Sequence, residues 1–472
     1  MSKARHRQRP SDGPAADHNT SLANIRLQIE YVGIDTVGAA VRQIRRHSPK
    51  KIGQMAASIR RLGCLSSLII DRNGRLIDGH AVWAACREAG LREVPVVRLD
   101  HLTEAEVSAA KLALNAFTLK GEWDWSAVSA EFELIETAEV DFDLAITGFD
   151  TPKIDWIMAE AAAVSANDAA DPDDEPVEPD DHPLVTQAGD LWRIGDHRLI
   201  CGDARDPDLY ARLMQGTKAR MVFNDVPYNV LIAGFVSGLG KKKHANFAMA
   251  SGEMSAAQFT DFQATVNARA IAHSMDGSVH FLCIDYRHLR EMLDAGEAHY
   301  SQLLNVLVWN KQTGGMGSLY RMAHELIFVW KAGSGPHVNN IELGKHGRYR
   351  TNVLDYPGMA QFGRERQEAL AVHPTVKPVA LVYDLILDVS HRGDVVLDPF
   401  SGSGTTILAA HRAGRAGYAI EIDPAYIDAS LARIEKRTGL GVVLDATGES
   451  FGEVRERRAA EAAAAGEEAR HG

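Results

Sequence analysis

Cysteine is scarce in this chain of 472 residues, which holds four: Cys64, Cys86, Cys201 and Cys283. Since no two of them lie close together in the sequence, neither a CxxC zinc site nor a disulfide framework is indicated. The sequence also lacks an apolar run long enough to span a membrane, and its basic start lacks the apolar core of a secretory signal. These absences predict a protein of the reducing cytoplasm that has no metal site and no membrane partner.

An excess of positive charge is absent too, because the formal net charge is −12 at pH 7. A basic patch is the usual electrostatic footprint of a nucleic-acid-binding protein, so the total charge argues against such a partner. The charge is uneven, however. Acidic residues concentrate in 168–181 and in the Glu-rich tail, whereas Lys and Arg cluster elsewhere. Because phosphates respond to local patches, nucleic acid stays a candidate partner.

The length predicts two or three domains. The clearest boundary is a tract rich in Asp, Pro and Ala, which cannot bury apolar surface and is therefore expected to be solvated. The predicted divisions are a disordered arm (1–26), a small α/β module (27–118), a helical extension (119–164), an acidic linker (165–185), a larger α/β domain (186–445) and a tail (446–472).

The small N-terminal module has clear turn and helix signals. Asn73-Gly74 lies between two apolar runs and predicts a hairpin, and Gly79-His80 opens an Ala-rich helix. The order of elements, with Ile-Asp-Gly-His leading into that helix, resembles the N-terminal domain of ParB-like proteins. In that family an arginine soon after the Gly-His pair helps to hold nucleotide phosphates, but Ala81 and Val82 stand there in this sequence. The resemblance therefore implies a binding or positioning module without nucleotide hydrolysis.

The larger domain contains a distinctive stretch, Asp225-Val226-Pro227-Tyr228. An apolar run before it predicts a buried strand, and Pro227 ends that strand because it cannot donate a ladder hydrogen bond. The Asp225 carboxylate and the Val226 carbonyl can both accept hydrogen bonds from one amine, and Tyr228 can stack on a flat ring. This combination suits an extruded nucleobase with an exocyclic amine. The alternative is an ordinary turn with Asp as the turn former.

A second distinctive stretch runs from Asp398 to Thr406, downstream of the first. It predicts a buried strand, a glycine-rich turn with Gly402 and Gly404, and then a helix. Glu421 lies at the end of the next predicted strand, where a carboxylate accepts ribose hydroxyls in nucleoside-binding α/β folds. The stretch lacks the Gly-Lys-Ser/Thr of a Walker loop and the full spacing of a dinucleotide fingerprint, so both of these are excluded.

Together the two stretches resemble the amino-methylating DNA methyltransferases that use S-adenosylmethionine. In that family a D/N/S-P-P-Y/F tetrapeptide binds the target base, and Asp225–Tyr228 matches three of its four positions. Val226 replaces a proline, and the valine carbonyl supplies the same acceptor. Since the tetrapeptide precedes the cofactor turn, the motif order is the circularly permuted order of the β group. The resemblance implies an α/β, Rossmann-like methyltransferase domain after the ParB-like module, with adenine N6 as the target.

The resemblance also implies the cofactor and its contacts. Lys377 lies in His373–Pro378, which matches the segment that closes over S-adenosyl-L-methionine in the family, and Asp203 resembles an acidic cofactor contact. The implied cofactor-binding residues are Asp203, Lys377, Asp398, Pro399, Phe400, Gly402, Gly404, Thr405 and Glu421.

Double-stranded DNA is the implied partner, and β-group relatives imply a homodimer. A Gly-containing loop after the first stretch is rich in lysine, and an irregular basic insertion at about 333–372 is expected to recognise the target. The predicted DNA contacts are Lys241, Lys242, Lys243, Lys311, Lys345, Arg348 and Arg350. Three alternatives stay open: a non-catalytic ParB-like DNA-binding protein with a degenerate methyltransferase domain, an N4-cytosine methylase, and an enzyme for RNA or a protein glutamine amide.

Overall fold

The protein is described from a computed structural model. The chain divides into two compact units, Met1–Asp150 and Thr151–Gly472. The predicted arm (1–26) lies outside the described residues. Within those residues no helix is long and apolar enough to cross a membrane. The described residues are 27–39, 47–117, 123–137, 144–165, 171–174, 183–229, 252–312, 314, 319–341, 343, 350–358 and 377–471.

The first unit contains a sheet whose described strands are ordered β1-β4-β2-β3. These strands are β1 (Ile29–Gly33), β2 (Leu68–Asp71), β3 (Leu76–Asp78) and β4 (Glu93–Leu99). The α-helices described in this unit are α1 (Pro49–Leu62), α2 (His80–Ala89), α3 (Glu104–Phe117) and α4 (Trp125–Thr137).

Local signals explain these elements. β2 and β3 pair antiparallel, which confirms the predicted hairpin, and Gly74 at its turn has a φ of +74°. The Ser48 side chain accepts a hydrogen bond from the Lys51 amide and caps the start of α1. Gly79 and Gly90 bound α2 in left-handed conformations, as their positions in the sequence predict.

The second unit is built on a mixed sheet of ten described strands, ordered β11-β9-β10-β8-β7-β12-β13-β6-β5-β14. The strands are β5 (Leu191–Ile194), β6 (His197–Cys201), β7 (Ala219–Asn224), β8 (Ser274–Ile284), β9 (Gln302–Asn310), β10 (His324–Ala332), β11 (Val353–Asp355), β12 (Val395–Asp398), β13 (Ala416–Glu421) and β14 (Val442–Leu444). The described α-helices are α5 (Thr151–Ser165), α6 (Pro207–Met214), α7 (Ala256–Ala272), α8 (Leu289–Glu297), α9 (Val379–Val389), α10 (Thr405–Arg412), α11 (Pro424–Thr438) and α12 (Phe451–His471).

The centre of this sheet is parallel. β12 pairs in parallel with β7 on one side and with β13 on the other, and β13 pairs in parallel with β6. All four residues of β12 are buried, as expected for a strand that is covered on both faces. Val396 packs in one apolar cluster and Val395 and Leu397 in another, on alternate faces. The α/β fold class predicted from the sequence is confirmed.

The predicted domain boundary lies too far along the chain. The units divide after Asp150, so α5, which the sequence placed in a helical extension before the linker, belongs to the second unit. Asp155 on α5 is 3% exposed and its carboxylate accepts hydrogen bonds from Arg415 at 2.8 Å and Arg392 at 3.2 Å. These buried ion pairs join α5 to the sheet domain.

The expectation of a solvated linker is wrong for the described residues 171–174. Asp174 is 5% exposed and its carboxylate accepts a hydrogen bond from the Val379 amide at the start of α9, at 2.8 Å. The carbonyl of Asp173 accepts from Arg433 at 2.6 Å, and Asp171 pairs with Arg412 at 2.8 Å. The acidic composition predicted that this segment is solvated, but its polar groups accept hydrogen bonds from donors elsewhere in the second unit.

The predicted tail begins within the folded domain. β14 pairs antiparallel with β5, and Phe451 at the start of α12 packs against Trp192 with ring centroids 5.3 Å apart. Arg458 on α12 forms an ion pair with Asp190 at 2.5 Å. The start of the tail therefore covers one end of the sheet.

We predict that Asp155→Ala lowers the free energy of unfolding by about 3–5 kcal/mol, because it leaves the Arg415 guanidinium buried without its carboxylate. Arg415 has a side-chain exposure of 0%. Urea denaturation followed by circular dichroism measures the change. The control is Asp294→Ala, which breaks an exposed pair with Arg290 and should cost less than about 1 kcal/mol. Equal effects of the two substitutions would contradict the prediction.

Candidate active site

The carboxyl ends of neighbouring parallel strands meet at one edge of the large sheet. Asp225 follows β7, Asp398 ends β12, Glu421 ends β13, and Asp203 follows β6 by two residues. Because β12 lies between β7 and β13, the two stretches singled out in the sequence come together at this edge. Ligand sites of open α/β sheets lie in this position.

The glycine-rich turn after β12 is bound to the end of β13. The Ser401 amide donates to the Ile420 carbonyl at 2.8 Å, and the Gly402 amide donates to the Glu421 carboxylate at 2.8 Å. Gly402 has a φ of +51°, and a Cβ built on it meets no atom within 4 Å. The turn therefore borders open space at Gly402, where a ligand has room to approach the backbone.

Gly404 fulfils a different requirement, since it is crowded. Its φ is +80°, and a Cβ built there lies 3.1 Å from Ile434 and 3.3 Å from Ser430. Ser430 is not free to move away, because its hydroxyl donates to the Gly402 carbonyl at 2.7 Å. Glycine at this position lets α11 approach the turn.

Glu421 is well placed as an acceptor at the sheet edge. Its carboxylate receives the amides of Gly402, Ile422 and Asp423 at 2.8, 2.9 and 3.0 Å. Burial raises the pKa of Glu421, and the three backbone donors work in the opposite direction. An ionised carboxylate has about four lone-pair sites, so the group retains capacity for a further donor such as a ribose hydroxyl.

Asp398 holds the turn together. Its carboxylate accepts hydrogen bonds from the Phe400 amide at 2.8 Å and from the Thr406 hydroxyl at 2.5 Å. Burial raises the pKa of Asp398 to about 7, against the effect of these two donors. The structure therefore gives this predicted cofactor residue a role in shaping the turn.

The remaining predicted cofactor residues of the turn lie around it. The Phe400 ring packs against Phe262 with centroids 5.9 Å apart, and Pro399 stands between Asp398 and Phe400. The Thr405 hydroxyl accepts a hydrogen bond from Arg433 at 3.3 Å. Arg433 is 1% exposed and also donates to the Ser403 carbonyl at 2.8 Å. Sequence reasoning missed Arg433, which supports the turn from α11.

Asp203 lies next to the end of β13, because the Gly202 amide donates to the Glu421 carbonyl at 2.8 Å. Its carboxylate is bound by Arg205, with a shortest contact of 2.6 Å. Burial opposes ionisation of Asp203, but the hydrogen bonds from Arg205 hold its pKa below the usual range. Asp203 is thus an ionised acceptor near the predicted cofactor turn.

A buried cluster of charges surrounds Asp225. The Lys377 ammonium lies 2.7 and 2.8 Å from the two Asp225 oxygens, 3.0 Å from the Tyr228 hydroxyl and 3.0 Å from Glu325 Oε2. Tyr228 donates to Glu325 at 2.8 Å, and Lys311 forms an ion pair with the other Glu325 oxygen. Carboxylates and ammonium groups therefore alternate from Lys311 through Glu325 and Lys377 to Asp225.

Burial and charge oppose each other in this cluster. Burial raises the pKa of Asp225, and Lys377 counteracts that effect. For Glu325 burial also disfavours the charged form, but Lys377 and Lys311 outweigh it and lower the pKa to about 2. The two carboxylates raise the pKa of Lys377 despite its burial. Glu325 and Lys377 are therefore charged at neutral pH.

The structure pairs Lys377 with two carboxylates of its own unit, and its contact with the cofactor stays a prediction. The sequence resemblance assigned it to the cofactor, whereas its ammonium binds Asp225 and Glu325. His373–Val376, the first four residues of the segment that carried this prediction, lie outside the described residues. Glu325 was missed, although a carboxylate at the start of an apolar strand is a signal for a buried partner.

Val226, the departure from the family tetrapeptide, is explained by its surroundings. It is 2% exposed and lies in an apolar cluster with Phe259, Phe262 and Ile284. Its side chain therefore anchors the stretch between Asp225 and Pro227 by burial, where the family uses the rigid ring of proline.

Asn229 fixes the chain directly after Tyr228. It adopts a φ of +52°. Its side chain accepts from the Gly252 and Met254 amides at 3.0 and 3.2 Å and donates to the Met254 carbonyl at 2.8 Å. The segment that carries Lys241, Lys242 and Lys243 therefore leaves and rejoins the described chain beside the site.

The predicted DNA contacts fall into two groups. Lys241, Lys242, Lys243, Lys345 and Arg348 lie outside the described residues. Lys311 pairs with Glu325, and Arg350 pairs with Asp384 at 2.8 Å and Asp388 at 3.2 Å. These two basic side chains have carboxylate partners within their own unit, and their contact with DNA stays a prediction. No cluster of metal-ligating side chains occurs in the part of the chain that is described.

Comparison with known proteins identifies the segment that contains this site. The sequence profile of the DNA methylase family matches residues 219–432, which include Asp225, the glycine-rich turn and Glu421. Residues 219–432 therefore resemble the DNA methylase family. A second profile, the ParB-methyltransferase HTH domain, matches residues 128–188. That match covers much of the predicted helical extension (119–164), together with the whole of the predicted linker (165–185).

Individual relatives match parts of this chain. DNA adenine methyltransferase YhdJ of Escherichia coli K12 is 41% identical over 90 residues, which are 19% of this chain and 29% of that protein. Type II methyltransferase M.HinfI of Haemophilus influenzae is 32% identical over 142 residues, 28% of this chain and 40% of that protein. The chain thus spans less than half the length of either curated relative. The crystal structure of an M1.HpyAVI–SAM complex is 20% identical with a TM-score of 0.37, covering 50% of this chain and 98% of that one.

We predict that Gly404→Ala destabilises the methylase domain more than Gly393→Ala does. Both glycines have a φ of +80°, but a Cβ on Gly393 meets no atom within 4 Å. Each substitution carries the cost of a left-handed alanine, about 1–2 kcal/mol, and Gly404→Ala adds overlap with Ser430 and Ile434. Denaturant unfolding compares the two variants, and equal midpoints would contradict the crowding argument.

Proposed function

We propose that the methylase domain transfers a methyl group from S-adenosyl-L-methionine to the exocyclic amine of a base in DNA. The observation that carries this proposal is the position of Asp225 at the same sheet edge as the glycine-rich turn and Glu421. The match of residues 219–432 to the DNA methylase family supports it.

The residues beside the turn fit this cofactor. Glu421 offers acceptor capacity for ribose hydroxyls, and the backbone at Gly402 faces open space. Ser401 Oγ and Asn224 Oδ1 are buried and have no hydrogen-bond partner among the described residues. Buried polar atoms without partners are costly unless a ligand or water satisfies them. When bound, the cofactor supplies an electrophilic methyl group on a sulfonium.

The Asp225 stretch accounts for activation of the nucleophile. The lone pair of a base amine is delocalised into its ring, so the amine reacts poorly. Hydrogen bonds from the amine to the Asp225 carboxylate and the Val226 carbonyl favour a pyramidal nitrogen and stabilise the positive charge that develops on it. Extrusion of the base costs a few kcal/mol, and stacking on Tyr228 returns about 1–3 kcal/mol.

We predict that Asp225→Ala lowers the methylation rate by at least about 10²–10³-fold, because the amine loses its charged acceptor. Binding of S-adenosyl-L-methionine should stay close to the wild-type value, since Glu421 and the turn are unchanged. Transfer of tritiated methyl groups to DNA measures the rate, calorimetry measures cofactor binding, and exposed Asp294→Ala is the control. Persistent methylation by Asp225→Ala would refute the role given to Asp225.

Adenine N6 is the proposed target. An aspartate in the first position of the tetrapeptide favours adenine by family resemblance, and one matching relative is named a DNA adenine methyltransferase. We predict that nucleosides from methylated DNA contain N6-methyladenine, as measured by chromatography with mass spectrometry. N4-methylcytosine in its place would refute the choice of adenine while leaving amine methylation intact.

Duplex DNA is the proposed substrate, and two further regions are proposed to help hold it. Residues 128–188 match a helix-turn-helix domain, a motif that places a helix in the major groove. The module at 27–118 lacks the phosphate-binding arginine of the ParB-like family that it resembles, so nucleotide hydrolysis is not proposed for it. We propose that this module positions DNA as well.

A further inference from the structure

The charge cluster around Asp225 contains two residues that the mechanism above leaves without a role. We propose that Lys377 and Glu325 are positioning residues for methyl transfer. In this inference Lys377 orients the Asp225 carboxylate, and Glu325 offsets the charge of Lys377 so that the site stays negative beside the target amine. The inference rests on the proposed function.

Lys377 approaches Asp225 from the interior of the domain. The Lys377 side chain is 2% exposed and that of Asp225 is 22% exposed. The ammonium binds both carboxylate oxygens, at 2.7 and 2.8 Å, which fixes the rotation of the carboxylate. Each oxygen accepts more than one hydrogen bond, so the exposed side of the Asp225 carboxylate remains available to the amine of a base.

Glu325 is needed because Lys377 alone works against catalysis. A lysine paired with Asp225 gives a neutral pair, which does little to stabilise the positive charge that develops on the target amine. Glu325 lies 3.0 Å from the Lys377 ammonium, so the three groups together carry one net negative charge. Lys311 pairs with the other Glu325 oxygen, and its side chain is 29% exposed, whereas that of Lys377 is 2% exposed.

Other groups also face Asp225. Tyr228 follows it on the same stretch, and its hydroxyl lies 3.0 Å from an Asp225 oxygen. Cys283 on β8 and Asp398 on β12 interact electrostatically with Asp225. Burial raises the pKa of Tyr228 and of Cys283, which keeps both neutral at neutral pH. Burial raises the pKa of Asp398 to about 7, and this residue is unchanged in the variants compared below.

The two residues have opposite effects on Asp225, and this makes the inference testable. Glu325 raises the pKa of Asp225 and Lys377 lowers it. Methyl transfer needs ionised Asp225, so the single-turnover rate rises with pH through the pKa of that group. Removing the Glu325 charge should move this acid limb to lower pH, and removing the Lys377 charge should move it to higher pH.

The experiment compares Glu325→Gln and Lys377→Met with the wild-type full chain, using single-turnover methylation of DNA across pH. We expect each variant to lower the plateau rate by about 10–10²-fold, with the acid limbs displaced in opposite directions. KM for S-adenosyl-L-methionine should change less than twofold. Exposed Glu297→Gln and Lys436→Met are the matched controls, and both should retain the wild-type profile.

A third variant protects the test against misfolding. Lys377→Arg keeps the charge but displaces its point of contact, so the acid limb should stay near the wild-type position while the plateau falls. Acid limbs that do not move, or that move in the same direction in Glu325→Gln and Lys377→Met, would overturn the inference. Absence of DNA methylation by the wild type at every pH would instead overturn the proposed function.

Discussion

Parallel pairing of β12 between β7 and β13 is the constraint on which the rest of the structure depends. Strands that run in the same direction end at the same edge, so this pairing brings together the Asp225 stretch and the glycine-rich turn, which lie far apart in sequence. A shift of register by one residue would exchange the two faces of β12. Its apolar side chains, buried in clusters on both sides, prevent that shift.

The burial of charged side chains in the second unit costs free energy. Each buried ion loses several kcal/mol of hydration, and a buried ion pair is often no more stable than apolar residues of the same volume. A structural role accounts for the buried pair of Asp155 and Arg415, because this pair joins α5 to the sheet domain. The alternation of Lys311, Glu325, Lys377 and Asp225 is better explained by the proposed methyl transfer, in which Asp225 acts as a charged acceptor.

Local signals in the sequence predicted much of this arrangement. The β2–β3 hairpin, the strand before Asp225 and the glycine-rich turn follow from turn residues and apolar runs, which act over a few positions. The partners of Lys377 and Glu325 could not be predicted in this way, because they depend on which strands become neighbours. The prediction of a solvated linker was wrong at 171–174 for a related reason. Composition indicates how readily a segment is solvated, but it does not show which hydrogen-bond donors the folded domain offers.

The contacts of residues 171–174 bear on how such a domain can be transferred between proteins. Asp174 receives the first amide of α9, and Asp173 receives the guanidinium that holds the Ser403 carbonyl in the turn. A fragment trimmed to the matched segment, 219–432, would lose the Asp174 acceptor of the Val379 amide and would also lose Arg433, which supports the turn. Fusion of this part of the chain to another protein therefore has to include residues 171–174, whose contacts support the turn and limit the positions at which two genes can be joined.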